Sequence, residues 1–441
     1  MAMVVKNNMS AKNTLNQLDK NDKASAKSLK KIASGMKINS AADDASGYSI
    51  SEKMRVQIQG LEQDTDNTQT GSSMLKVAEG GIQSTVDVLK TLKEKVINAA
   101  NDTNTDADRA TIQKELDQAV DQLDENASVV YNNKMMLDGS KNNEVLSPGT
   151  KTVLSNESFS SDVTMGDKLT TLTDFSGRSL GIKADSRIEI SYVRQGKTHS
   201  LYMDPVGMNR LSRLLLNSTS QDGTSVDDVL SVDVSTVVGK DRTGVDISTT
   251  NGNSAVFFTA RNAGLDGQIS GLTFNVIDHD GSINRTANSI LNNFNEAIRA
   301  EDPSSDNALV FQVGTKANQS VKIGFSDMRA TALGLRSTDG SPLNISTQAN
   351  ANAAISVVDL ALQKALNQQT TIGSVESRLE YTASNLTTAS ENTTSSESVI
   401  RDADMAKEMT AYTKNNVISQ AAQSMLAQAN QNSSQVLSLL K

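Results

Sequence analysis

The chain contains no cysteine and no tryptophan. The first absence excludes disulfides, thiolate metal sites and a cysteine nucleophile, and it suits either side of a membrane. Aromatic residues make up only 3% of the 441 residues and apolar residues 37%, less of both than a compact enzyme of this size carries. Long helices that pair along narrow seams need fewer bulky side chains, because each contributes only a stripe to the core. Excess positive charge is missing as well. The net charge of −9 and a pI near 5.0 argue against a nucleic-acid groove, which needs a basic surface, and against docking on anionic lipid. No stretch approaches the roughly 18 apolar residues of a membrane-spanning helix. Met3, Val4 and Val5 are the only apolar run before polar residues resume, so no secretory signal is legible and export would use a route that does not read one.

Histidine is nearly absent too. His199 and His279 stand alone, far from the H-E-x-x-H spacing of a zinc peptidase helix. Asp278-His279-Asp280 has metal-ligand chemistry but reads better as a solvated turn before Gly281. No Ser-His-Asp arrangement or phosphate loop stands out, so the sequence predicts a protein without catalysis or cofactor.

What is present is unevenly spread. The four prolines are Pro148, Pro205, Pro303 and Pro342, all eight phenylalanines fall between Phe159 and Phe325, and 19 of the 26 glycines fall between Gly139 and Gly340. The ends are free of helix breakers while the middle holds turn chemistry and bulky core residues. Leu75, Ala78, Ile82, Thr85, Leu89, Leu92, Val96 and Ala99 keep a three-four spacing, and Ile112, Leu116, Ala119, Leu123 and Val130 continue after a turn around 101–108. Ile355, Val358, Leu362, Ala365, Ile372, Val375 and Leu379 repeat the pattern, as do Ile418, Ala422, Met425, Ala429, Val436 and Leu439. The first segment, with Leu15, Leu18, Leu29, Ile32 and Met36, carries polar Asp22 and Ser25 in its middle slots. A single stripe fits an ordinary amphipathic helix. Four, at both ends of the chain, predict one multi-helix bundle closed by the two termini.

The middle predicts an inserted α+β domain, or two. Ile188, Ile190 and Tyr192 alternate with polar residues before a Gln195-Gly196 turn into Leu201 and Met203, a hairpin pattern. Residues 255–260 and 272–277 read as strands, 208–216 and 285–300 as helices, the last with Ile290, Phe294, Ala297 and Ile298 on one face.

Residues 28–55, SLKKIASGMKINSAADDASGYSISEKMR, resemble the N-terminal signature of bacterial flagellin. Residues 57–60, Ala78-Glu79-Gly80, residues 99–112 and NNKMMLDGS at 132–140 resemble further blocks in the family's order. At the far end, Ser377-Arg378-Leu379, IRDAD at 400–404 and AQANQNSSQVLSLL at 427–440 resemble its C-terminal ending, and residues 311–335 its β-hairpin. The resemblance covers residues 1–145 and 305–441. It implies a coiled-coil core built by both chain ends with a small hairpin region, plus an inserted α+β outer domain. Residues 1–45 with 405–441 would form the inner filament core, 46–145 with 305–404 a helical bundle, and 146–304 the variable, exposed insertion.

The implied function is that of an extracellular subunit polymerising into the flagellar filament, with a hook–filament junction protein as the alternative and an adhesive, glycosylated or enzymatic insertion as others. Implied partners are further copies of the chain, filament cap and hook-junction proteins, and an export chaperone at the C-terminal region. Polymer contacts are expected at Leu15, Leu18, Leu29, Ile32, Met36, Asp43, Asp44, Arg55, Ile418, Met425, Val436, Leu437, Leu439 and Leu440. Residues 1–45 and 405–441 are expected to order only on assembly. The family's Toll-like receptor 5 surface would fall on Leu89, Thr91, Lys95 and Glu115. Thr91 and Lys95 replace the Arg and Leu of strongly stimulating relatives, so weak activation is expected.

Overall fold

The structure, a computed structural model, describes residues 8–207, 209–215 and 229–439, apart from the side chains of 433 and 436–439. It divides into two compact units: Met1–Thr68 with Gln312–Gln319 and Tyr381–Lys441, and Gln69–Phe311 with Ser320–Glu380.

The first unit is helical. Helix α1 (Met9–Ser34) starts where the Asn8 side chain accepts a hydrogen bond from the Ala11 amide at 3.0 Å, and stops at Gly35. Gly35 has φ of 70°, the left-handed end that glycine adopts without strain. Residues 39–47 form the turn into α2 (Ala45–Ala99). Asp43 Oδ2 accepts from the Asn39 and Ser40 amides and the Ser40 hydroxyl. Asp44 Oδ1 accepts from the Ser46 and Gly47 amides, capping the opening turn of α2. Near the chain's end, α6 (Gln348–Arg401) gives way to α7 (Met405–Leu439), which runs antiparallel to α1.

The second unit is built on the predicted apolar stripe of α2. Leu75, Ala78, Ile82, Leu89, Leu92, Val96 and Ala99 are all buried, and the polar slot is quiet because Thr85 donates to the Gly81 carbonyl at 3.0 Å. Helix α3 (Asp106–Ala127) opens with a capping box between Thr105 and Asp108. Buried Arg109 donates to the carbonyls of Ala99 and Asn101, placing a cation on the negative end of α2. The buried positions of α3 are Leu116, Val120, Leu123 and Ala127, so two expectations need correction. Ala119 is only half-buried, and Val130 lies beyond the helix, exposed, in β1 (Val130–Tyr131). Strand β1 turns through Asn132 and Asn133, both at positive φ, into β2 (Lys134–Met135). Asparagine is the side chain most at home in such a turn after glycine.

The middle of the chain forms two antiparallel sheets. One is ordered β11-β3-β9-β6, from β3 (Val153–Asn156), β6 (Leu230–Ser235), β9 (Ala255–Ala260) and β11 (Asn295–Ile298). The other is β10-β4-β5, from β4 (Arg187–Arg194), β5 (Lys197–Met203) and β10 (Ile269–Ile277). The β4–β5 hairpin turns at Gln195-Gly196 as read from sequence, both residues at positive φ. Between the sheets lies a core that includes Leu154, Ile190, Tyr192, Leu201, Phe258 and Phe274, with Phe294 packed edge-on to Phe258. Small hairpins β7 (Val237–Lys240) with β8 (Asp246–Ser248), and β12 (Leu309–Gln312) with β13 (Ser320–Ile323), complete the strands. The chain enters and leaves this region at one point, where Val145 and Ser304 exchange backbone hydrogen bonds of 2.9 and 3.1 Å.

The helix expected over 285–300 is shorter. Helix α4 (Arg285–Leu291) ends there, and Ala297 and Ile298 belong to strand β11. Asn156 donates to the carbonyls of Ile290 and Leu291, while Asn292 clasps both the amide and carbonyl of Phe274. These bonds satisfy the helix end and free the next residues to pair with β3. Within 208–216, where Met208 and Leu216 lie outside the described residues, Leu211–Arg213 forms a single tight helical turn. The last short helix, α5 (Ala330–Leu333), stops at Gly334.

Candidate assembly surface

Within the first unit, α1 and α7 meet along a seam with a strict three-four rhythm. On α1 the sheltered positions are Ala11, Thr14, Leu18, Asn21, Ser25, Ser28 and Ile32, and every other residue from 12 to 30 is exposed. On α7 the corresponding series is Glu408, Tyr412, Asn415, Ser419, Ala422, Leu426 and Ala429. This is coiled-coil spacing filled mostly with polar or small side chains. The partners are specific: Lys31 Nζ meets Glu408 Oε1 at 2.8 Å, and Ser419 donates to Asp22 at 2.7 Å. Ser25 donates to Asn416 at 3.3 Å, and Asn8 donates to the Ala429 carbonyl at 3.2 Å. The side-chain nitrogen of buried Asn21 has no partner among the described residues. Such a seam fixes register and direction but contributes little apolar burial.

The large apolar side chains lie elsewhere. Met9, Leu15 and Leu29 on α1, and Met405, Met409, Val417 and Met425 on α7, are exposed. So are Ile50 and Val56 near the start of α2, and Tyr381 and Val399 near the end of α6, the last two at 74%. Met409, Thr410, Thr413, Val417 and Ile418 line a furrow along α7. An arrangement with polar residues inside and apolar residues outside is the reverse of a self-sufficient bundle. It is what a helix pair looks like when its other faces have partners.

The turn between α1 and α2 is tied to the α6–α7 junction. The Lys37 amide donates to the Arg401 carbonyl at 2.8 Å, and the Ala403 amide to the Gly35 carbonyl at 2.9 Å. Arg401 pairs with Glu52 at 2.5 Å and lies over the Tyr48 ring, while Arg55 pairs with Glu397 at 3.0 Å. Asp43 binds Lys27 at 3.2 Å. The Lys27 ammonium and the turn's donors hold the Asp43 carboxyl down to about 2, from an ordinary 3.8. A depressed carboxylate contributes fully above its ordinary value and loses that contribution as pH falls toward 2. Thermal melting of assembled filaments followed by circular dichroism from about pH 5 to about pH 2 is expected to show a steeper loss for wild type than for Asp43→Asn. Equal slopes would exclude this role for the carboxylate.

The sequence-predicted residues are therefore distributed over three settings. Leu15, Leu29 and Met425 point outward, Met425 at 63% exposure. Leu18 and Ile32 sit half-buried in the α1–α7 seam, Ile418 is half-buried beside it, and Met36 lies under Arg55. Asp43, Asp44 and Arg55 belong to the turn and its ion pairs. The Val436, Leu437, Leu439 and Leu440 side chains lie outside the described residues. Exposed Val56, Tyr381, Val399, Met409 and Val417 were not legible as surface residues by period alone, since they fall off the stripes.

In the second unit, Leu89 is fully buried in the chain's own core and cannot form part of a receptor surface. Thr91 is exposed and donates to the Asp87 carbonyl, and Lys95 pairs with Glu115 at 2.5 Å. His199 stacks on Tyr192 with ring centres 5.0 Å apart. Among the described residues, no three His, Cys, Asp or Glu side chains converge as a metal site.

The sequence matches the family described as bacterial flagellin N-terminal helical region over residues 5–142, and bacterial flagellin C-terminal helical region over 355–440. It is 32% identical to a flagellin of Clostridium tyrobutyricum over 97% of this chain and 99% of that one. The chain belongs to the bacterial flagellin family. A flagellin of Bacillus subtilis is 29% identical over the full length of both chains. Among solved structures, the flagellar hook associated protein-3 of Legionella pneumophila covers 78% of this chain and 97% of its own, at 14% identity and a TM-score of 0.34. The two flagellin-matched segments contain α1 to α3 and nearly all of α6 and α7. The two inner sheets and the core between them fall outside the match.

Proposed function

We propose that the outward apolar faces of α1, α7, the start of α2 and the end of α6 are the surfaces through which copies of this chain stack. The role itself follows from family membership and full-length relatives: the chain is a structural subunit of the extracellular bacterial flagellar filament, which serves motility. The observation that carries the assembly reading is the inverted helix pair, polar along its seam and apolar outside. A contact between different faces of successive copies is heterologous, so it propagates into a helical polymer instead of closing a dimer.

On this reading residues 1–45 with 405–441 line the inner filament core, 46–145 with 305–404 form the surrounding bundle, and 146–304 face solvent. The polar seam is marginal as an isolated pair, which supports ordering of the termini on assembly and an export chaperone covering the C-terminal helix beforehand. Cap and junction proteins would meet the same faces at the filament's two ends. Catalysis has no support in the chain's own chemistry, and its relatives are structural proteins. Tying of Lys95 to Glu115, with Thr91 in place of a larger anchor, supports weak recognition by Toll-like receptor 5.

The test is electron microscopy of purified chain incubated with short filament seeds, comparing full length with a variant lacking residues 405–441. Filaments from the first alone are expected. Growth of the truncated chain would sink the proposal.

A further inference from the structure

A cavity of about 530 Å³ opens in the second unit, apart from every surface assigned above. One wall is a face of α6, where Lys364, Gln368, Thr371 and Val375 succeed one another at helical spacing. The opposite walls come from Glu296 to Ile298 of β11, the following Arg299 and Glu301, the end of β13 with Gly324 and Ser326, and Asp241 and Arg242 beside β7. The stripe of α6 that is apolar at Val357, Ala361 and Leu379 thus turns polar where it meets this space.

These polar groups are buried at a cost that needs a return. Lys364 and Glu296 are almost fully enclosed, 4% and 5% exposed, and pair at 3.1 Å. Burial pushes the Lys364 ammonium down from its ordinary value, against the pull of Glu296. Gln368 is 7% exposed. Its Oε1 accepts the Ser326 amide at 3.2 Å. Because a backbone N–H can meet only the oxygen, that bond fixes the amide's orientation. The Gln368 Nε2 donor is left buried with no partner among the described residues, and so is Arg299 Nε. Arg299 lines this cavity and a smaller one of about 150 Å³ beside it, and its Nη2 is committed to the Asp327 carbonyl.

The lining carries four cations (Arg242, Arg299, Lys322, Lys364) and three carboxylates (Asp241, Glu296, Glu301), and Lys322 is paired with Asp306 just outside it, so the charges balance. Two unused N–H donors, one of them on a guanidinium, select a negatively charged acceptor. The carboxylates, Asn367 and Thr371 add acceptors and amides that hydroxyl groups can satisfy. We propose that this cavity binds a small polyhydroxylated carboxylate of sugar-acid size, its carboxylate held by Gln368 Nε2 and Arg299 and its hydroxyls by Glu296, Glu301 and Thr371. The volume admits such a molecule with accompanying water.

The probe is glucuronate, titrated into full-length monomer and followed by saturation-transfer NMR and calorimetry, with glucose and acetate as single-feature controls. Saturable binding of glucuronate, tighter than either control, is expected. Gln368→Leu keeps the volume of the side chain and removes the donor, so it should weaken glucuronate about tenfold. Half-buried Lys93→Gln, in the same unit but outside the cavity lining, should leave binding unchanged. Gln368→Leu is checked for an unaltered fold by circular dichroism, and Gln368→Glu serves as a second variant, placing a like charge against the ligand. No saturable binding by wild type, equal affinity for all three probes, or undiminished binding by both variants would overturn the proposal. Filament growth from seeds is a separate readout that none of these outcomes touches.

Discussion

Leu29→Asp combined with Val417→Asp should leave a folded monomer that cannot extend filament seeds. Both side chains are exposed on the isolated chain, at 49% and 59%, and neither belongs to the α1–α7 seam. Their replacement costs the monomer little, since a charged group in water replaces an apolar one. In the polymer each would lose the roughly 1.5–3 kcal/mol that burial of a Leu or Val side chain supplies, and each carboxylate would be desolvated besides. Two sites together correspond to at least a hundredfold rise, to order of magnitude, in the monomer concentration needed for growth. The measurement is light scattering with seeds over a concentration series, alongside circular dichroism of the monomer. Asn13→Asp and Lys23→Gln, on exposed positions of the same helix without apolar area to lose, should polymerise normally. Undiminished growth of the double variant would show that copies do not pack through these faces.

Leu89→Ala should destabilise the second unit by about 2–5 kcal/mol, the range for deleting a fully enclosed leucine. Leu89 lies at the middle of the α2 stripe with Ile82 and Leu92, all of them sealed from solvent. Urea unfolding followed by circular dichroism would read the change as a lower midpoint at an unaltered slope. A loss below about 1 kcal/mol, the level typical of surface changes, would mean that the stripe is not the core. The same substitution distinguishes a packing role for Leu89 from a receptor contact, because only the first lowers the midpoint.

The helical ends were legible because their order is local. Three-four spacing from Leu75 to Ala99 is a property of the helix itself, and burial follows it residue by residue. The Gln195-Gly196 hairpin was legible for the same reason, since two positive-φ residues between alternating strands leave few other conformations. What escaped was decided at long range. Residues 295–298 have helical composition, yet Asn156 and Asn292 close α4 early and β3 takes the segment as a strand neighbour. The assembly surface was only half visible. Its motifs pointed to α1, α2 and α7, but period analysis assigns apolar residues to interiors. Leu15 and Leu29 were singled out and lie exposed, while Val56, Tyr381 and Val417 were not, because they fall off the periodic stripes. The Met425 position illustrates the ambiguity: its spacing from Ala422 and Ala429 suits a seam, whereas α7 turns Leu426 inward and leaves Met425 outside.

The paired backbone of Val145 and Ser304 has a consequence for how this chain can change over generations. Everything between them departs from and returns to one strand spacing, roughly 5 Å. A replacement segment therefore has two geometric obligations: its two ends must meet side by side, and it must cover the face of α6 where Lys364 meets Glu296 and Leu360 enters the inter-sheet core. A folded module that meets both can stand there without moving the flagellin-matched helices. Residues of the segment away from the paired ends and the α6 footprint are free to diversify under pressures of their own.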